Sequence, residues 1–306
     1  MTMLLPVAGI SINLFVVVGA GAVVGFLSGL LGVGGGFLLT PLLMMLGVPA
    51  TVAAASDTNA IVATSASGMA AHFRLGNVDL KLGCILLVGG LSGSAVGVQI
   101  IKFFRVLGNA DFVISLTYVF VLGAIGSYMF VESLQSLRRG ALAPKVTARR
   151  TGGSILRRLP LQMQFPRSGI QHSVFVPFGL CALVGILAAV MGVGGGFIMV
   201  PMMVYLLRMP MHVAIGTDLF QILFTCAGLT FMQATTNHTV DLLLALCVAA
   251  GSTTGAQVGA RVGRLFRGDQ LKIVLATIVL VVMVKMAIGL VMAPDNVLSA
   301  VKGAGH

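Results

Sequence analysis

Apolar residues along this chain fall into ten runs separated by short polar breaks. They cover 11–31, 36–47, 51–71, 80–101 and 112–131, then 172–191, 196–207, 212–233, 240–260 and 271–292. A bilayer's hydrocarbon core is about 30 Å thick, which about 20 helical residues span at 1.5 Å each. The pattern predicts an all-α polytopic membrane protein. In each half the second run is short and the third carries polar residues, so these are expected as half-length or interrupted helices.

The ten runs are five plus five. Gly32-Val33-Gly34-Gly35-Gly36-Phe37, with Pro41 after it, recurs as Gly192-Val193-Gly194-Gly195-Gly196-Phe197 with Pro201. The matches continue in order: Ser56-Asp57 with Thr217-Asp218, Val78-Asp79 with Val240-Asp241, Gly93 with Gly255, and Gly97 with Gly259. Two homologous halves follow, at 1–133 and 171–306, with a linker over 134–170. If every segment crosses once, five crossings per half give the halves opposite orientations, the inverted-repeat design of secondary transporters. Re-entrant second segments would instead make the count even and the repeats parallel; inverted repeats are the expectation. Gly93-x-x-x-Gly97 and Gly255-x-x-x-Gly259 have the spacing that lets helix backbones pack closely.

Composition sharpens this reading. Hydrophobic residues make up 58% of the 306 and charged ones 9%, against about 25% charged in soluble domains. That excludes an ordinary soluble domain and a disordered chain. The net charge of +11 would suit nucleic acid, but the apolar runs rule that partner out. Eight of the basic residues lie between Ser133 and Gln171 (Arg138, Arg139, Lys145, Arg149, Arg150, Arg157, Arg158 and Arg167), and no acidic residue stands between Glu132 and Asp218. Such a linker is expected on the cytoplasmic side of a bacterial inner membrane, either as a plain topology determinant or in contact with anionic lipid head groups. Lys102 and Arg105 then fall outside, an awkward point for the same rule. The four cysteines sit singly in apolar runs and form no C-x-x-C pair, so they are expected as packing residues. No metal or cofactor is expected.

Two features carry candidate chemistry. The glycine runs, Gly34, Gly35 and Gly36 with Gly194, Gly195 and Gly196, each open a short helix. Glycine accepts positive φ cheaply. A run of it can turn successive N–H groups toward one point, where the helix N-terminus adds positive potential. That makes an anion cradle; the alternative is a tight turn or a close helix crossing. The other feature is the pair Asp57 and Asp218, acids within apolar runs at equivalent repeat positions. A mid-membrane carboxylate costs roughly 2.5–3.5 kcal/mol even on mild insertion scales, so each is expected to be protonated, paired or facing water. Ser56, Thr58 and Asn59 beside one, with Thr217 and Gln221 beside the other, would line a polar pathway. The alternative is a carboxylate that caps a broken helix.

Paired Gly-Val-Gly-Gly-Gly-Phe-x-x-x-Pro motifs, each followed by a small-residue stretch ending in Ser/Thr-Asp, resemble the TauE/SafE sulfite exporter family of membrane permeases. The resemblance covers both halves but not the basic linker. It implies export of sulfite or small organosulfonates such as sulfoacetate, with the six motif glycines near the substrate and Asp57 and Asp218 at the family's acidic positions. A permease for another small anion such as a carboxylate, or an anion channel, shares these features. An intramembrane aspartyl protease does not fit, because Gly216-Thr217-Asp218 replaces the Gly-x-Gly-Asp motif and Ser56-Asp57 the Tyr-Asp pair that such enzymes need.

Overall fold

The computed structural model describes residues 2–7, 9–31, 36–138, 162–165, 167–168, 170–263 and 268–291. Ten helices run through them. In the first half they are α1 (Leu14–Leu31), α2 (Gly36–Met45), α3 (Ala50–Arg74), α4 (Leu80–Val106) and α5 (Ala110–Arg138). In the second they are α6 (Phe175–Met191), α7 (Gly196–Tyr205), α8 (Met211–Thr236), α9 (Leu242–Gly263) and α10 (Gly268–Val291). Each apolar run has become one helix. The short second runs are helices of 10 residues, about 15 Å long and so half a bilayer in depth. The polar third runs are continuous helices of 25 and 26 residues rather than broken ones. By length and composition, Leu80–Val106, Ala110–Tyr128, Met211–Thr236 and Leu242–Gly259 can each cross a membrane.

Two antiparallel hairpins add to the helices. β1 (Thr2–Leu5) pairs with β2 (Ile10–Asn13), and β3 (Gln162–Phe165) with β4 (Ile170–Ser173), one hairpin ahead of each set of five helices. The apolar pattern did not disclose them. The second hairpin occupies part of the stretch expected to be linker, and α5 extends to Arg138 within that stretch. Most of the basic residues there, from Arg139 to Arg158, lie outside the described residues.

Packing follows the repeat. α1 lies along α9 and its counterpart α6 lies along α4, while α3 meets α8 and α5 meets α10. Glycines fix the close contacts. A Cβ on Gly89 would stand 2.6 Å from the Phe178 carbonyl oxygen and one on Gly97 2.8 Å from that of Ile186; one on Gly93 would collide with the carbonyl of Ala182. Gly251 and Gly255 face the backbones of Val18 and Ala22 in the same way. Residue numbers rise together across both pairs, so α4 runs parallel to α6 and α1 to α9. The equivalent helices run the other way. Gly68 faces Leu219 while Gly216 faces Asn77 and His72, and Gly123 faces Met283 while Gly126 faces Val279. α3 is therefore antiparallel to α8, and α5 to α10.

Each hairpin is held by the opposite half. Asp79 caps α4, its Oδ1 accepting from the Leu82 N–H at 3.3 Å and its Oδ2 from the N–H and hydroxyl of Ser168 at 3.2 and 2.8 Å. Asp241 caps α9 likewise, accepting from the Leu244 N–H at 3.2 Å and from the Val7 N–H at 3.1 Å. The Asp79 N–H donates to the Thr217 hydroxyl at 3.1 Å, and the Asp241 N–H to that of Ser56 at 3.4 Å. These two acids, which the sequence placed only at segment ends, latch the two halves together. Arg105 donates to the Asn237 carbonyl at the end of α8, where a cation meets the negative end of the helix dipole.

Candidate functional site

The two glycine motifs meet at the centre of the repeat. Phe37, next to Gly36 at the start of α2, stacks on Phe197 at the start of α7, with ring centroids 4.6 Å apart and planes 9° from parallel. The Gly36 Cβ position lies 3.1 Å from the Val193 carbonyl oxygen. The two phenylalanines hold the same position in the two motifs, so their contact joins equivalent points of the sequence repeat.

The second motif is a tight left-handed turn. Gly192, Gly194 and Gly195 have φ of 74°, 70° and 84°, a conformation that costs other residues a steric penalty. Gly192 ends α6 and Gly195 caps α7. Residues 191–197 are all buried, and the turn is filled by its neighbours. A Cβ on Gly192 would strike the Ala54 carbonyl, one on Gly194 would stand 2.9 Å from the Cys226 sulfur, and one on Gly195 2.6 Å from Val184. In this conformation Gly194 and Gly195 serve a close crossing, and Gly196 is buried at the start of α7. Gly34 and Gly35 lie outside the described residues.

The buried acids flank this centre. Asp57 is 1% exposed and Asp218 2%. Asp57 Oδ2 accepts from the Thr40 hydroxyl at 2.8 Å, while among the described residues Oδ1 of each acid has no hydrogen-bond partner. Val200 takes the place of Thr40 in the second half. Tyr118, fully buried on α5, donates to the Met191 carbonyl at 2.6 Å and lies within electrostatic reach of Asp57. Cys226 lies within reach of both acids and Cys181 within reach of Asp218.

The other expected residues divide. Ser56 and Thr217 accept the latch bonds described above. Thr58 and Asn59 donate to the carbonyls of Ala54 and Ala55 one turn back, at 2.9 and 3.3 Å, and so satisfy their own helix. Gln221 donates to the Thr225 hydroxyl at 2.9 Å beside Gly90, whose missing side chain leaves room for both. Among the described residues these polar side chains thus bond within their own helix or across to the opposite half. Phe37 and Phe197 stood inside the motif and could have been read from it. Tyr118 carried no sequence signal, and Thr40 none beyond following the motif. Cys181 and Cys226 pack as expected, and all four cysteines are free thiols.

A largely helical chain, with four helices able to span a bilayer by length and composition, belongs to the class of multi-pass membrane proteins. Within that class, the chain belongs to the sulfite exporter TauE/SafE family, whose profile matches residues 17–286. It is 26% identical over 270 residues to the probable membrane transporter protein YunE of Bacillus subtilis, spanning 86% of this chain and 93% of that one. It is 27% identical over 263 residues to the probable membrane transporter protein YjnA of the same organism, spanning 85% and 94%. A shorter likeness, 27% over 122 residues, links it to sulfite exporter TauE/SafE family protein 3 of Arabidopsis thaliana, covering 38% of this chain and 26% of that protein. No solved structure matches the chain. As a member of this family it is a membrane transporter.

Proposed function

We propose that this transporter exports small sulfur oxyanions, sulfite or organosulfonates such as sulfoacetate, by alternating access between inverted repeats in a bacterial inner membrane. The observation that carries the reading is the meeting of the two motif helices at the pseudo-dyad through Phe37 and Phe197. The antiparallel course of α3 against α8 and of α5 against α10 supports the inversion. A two-fold axis that reverses helices crossing a membrane must lie in the plane of that membrane. α2 and α7 then reach from the centre toward opposite faces, each pointing its positive N-terminal end at the midplane, where an anion gains most from it.

The packed turn at Gly192–Gly196 fits a closed state. Rocking of the halves would part the phenylalanine stack and free the N–H groups of Gly36 and Phe37 on α2 and of Gly196 and Phe197 on α7, the first of each helix. With the basic linker cytoplasmic and in contact with anionic lipid, export of a monovalent anion from a negative interior releases about 2.3 kcal/mol per 100 mV. Flux of labelled sulfite and sulfoacetate into proteoliposomes tests the reading, with small carboxylates as competitors. Saturable sulfonate flux that carboxylates compete with poorly is expected. Flux no greater than in empty vesicles across the panel refutes it.

A further inference from the structure

We propose that Asp57 and Asp218 are a matched pair of proton-binding sites, one serving each face of the membrane, so that opening a face exchanges a proton with the water on that side. The purpose of the pair rests on the transport reading; its existence does not. Both carboxyls are at least 98% buried, and among the described residues Oδ1 of each has no donor. The groups around them are neutral acids or hydroxyls. Asp57 accepts from the Thr40 hydroxyl of α2, with the Tyr118 phenol of α5 and the Cys226 thiol of α8 within electrostatic reach. Asp218 has the Cys181 thiol of α6 within the same reach, with Cys226 two turns along its own helix. Two imidazoles stand toward the start of α8, with His72 against Gly216 and His212 within its electrostatic reach. Among the described residues neither acid makes an ion pair. An ionised carboxylate with an empty oxygen and no cation beside it costs several kcal/mol in such surroundings. The closed state avoids that cost by holding a proton on each.

The route for each proton is built into the latches. Ser56, the residue before Asp57, accepts the Asp241 N–H; Thr217, before Asp218, accepts the Asp79 N–H. Because α3 and α8 are antiparallel, the two latches lie toward opposite ends of the bundle. Parting one latch uncovers the carboxyl next to it and leaves the other sealed. Water then solvates the exposed group, its proton leaves to water, and the carboxylate stays ionised until the face closes on a new proton.

Infrared difference spectra of the purified transporter in lipid test this without any anion. Near neutral pH the wild type is expected to show protonated-carboxyl C=O bands that shift in D2O, one lost in Asp57→Asn and the other in Asp218→Asn. Asp57→Glu is the folding control: it keeps a protonatable group, so its band should move rather than vanish. A wild-type spectrum lacking bands that these substitutions remove overturns the proposal, whether or not sulfonate flux is found. If the bands are present while the flux assay fails, the proton sites stand and the choice of cargo falls. In proteoliposomes that do carry sulfoacetate, a pH-sensitive dye in the lumen should report proton movement with the anion. Sulfoacetate flux with no proton movement in the wild type also overturns it.

Discussion

Replacing Gly93 by Ala tests the packing that holds the two halves together. The added Cβ lands on the carbonyl oxygen of Ala182 and would stand 2.7 Å from its carbonyl carbon and 2.9 Å from its Cα. These are backbone atoms of a helix and cannot rotate away, so α4 and α6 must separate by roughly the missing ångström of van der Waals contact. That loosens the neighbouring contacts of Gly89 with Phe178 and of Gly97 with Ile186. Overpacking of this kind costs about 1–3 kcal/mol, and rigid backbone neighbours place the cost toward the upper end. Alanine returns about 0.5–1 kcal/mol in a helix interior, leaving a net loss of about 1–2 kcal/mol. Gly123→Ala is the control. Its Cβ would come no closer than 3.8 Å to Met283, so it keeps the propensity gain without the clash. The chain has no Trp, so thermal unfolding is followed by circular dichroism in detergent. Gly93→Ala should unfold several degrees below wild type, Gly123→Ala at or slightly above it. Gly255→Ala, whose Cβ strikes the Ala22 carbonyl, should behave like Gly93→Ala. Equal midpoints for Gly93→Ala and Gly123→Ala would refute the close-packing account.

Three further predictions concern the centre and the latches. Asp79→Ala removes the α4 cap, worth about 0.5–2 kcal/mol, and strands the Ser168 N–H. Hydrogen exchange over 162–173 should accelerate in that variant, and in Ser168→Ala by less, since only the hydroxyl bond of about 1 kcal/mol is lost. A double-mutant cycle of Phe37→Ala with Phe197→Ala should give a coupling of about 0.5–1.5 kcal/mol by thermal unfolding; additivity would mean that the rings do not stack. Tyr118→Phe removes the bond to the Met191 carbonyl and leaves that buried oxygen unpaired, so a loss of about 1–3 kcal/mol is expected.

The helices were legible because hydrophobic run length reports them directly, and all ten agree with the runs to within seven residues. The repeat was legible because glycine and proline at fixed spacing are few and conformationally demanding. The two hairpins were not: each strand has four residues, too short for alternation to stand out from an apolar background. The role of Asp79 and Asp241 was also hidden. Their partners, Ser168 and Val7, come from the opposite half, 89 and 234 residues away in sequence, and nothing local announces such a pairing. The same holds for Thr58 and Asn59. A polar residue in an apolar helix can face a path or bond back to its own carbonyl, and only coordinates separate the two.

The two halves share one order of helices, but not the chemistry laid on it. The Asp79 latch holds both the N–H and the hydroxyl of Ser168, and Arg167 adds a bond to the Val78 carbonyl at 3.0 Å. Among the described residues the equivalent latch at Asp241 holds only the N–H of Val7 in its hairpin, since valine has no hydroxyl to offer. Beside the carboxyls, Thr40 binds Asp57 while Val200 stands in its place in the second half. Where Thr58 and Asn59 bond within α3, Leu219 and Phe220 pack against Gly68 and Gly83. A perfectly symmetric pair of repeats would hold its two open states at equal energy. Each of these substitutions changes the cost of opening one face and not the other, by about the 1 kcal/mol of a hydrogen bond apiece. A few such terms are enough to displace a two-state equilibrium tenfold or more. On the alternating-access proposal, the repeat supplies two conformations and the mismatches between its copies decide which one the resting protein occupies. The Asp79 end, with more bonds among the described residues, is then the face expected to stay shut.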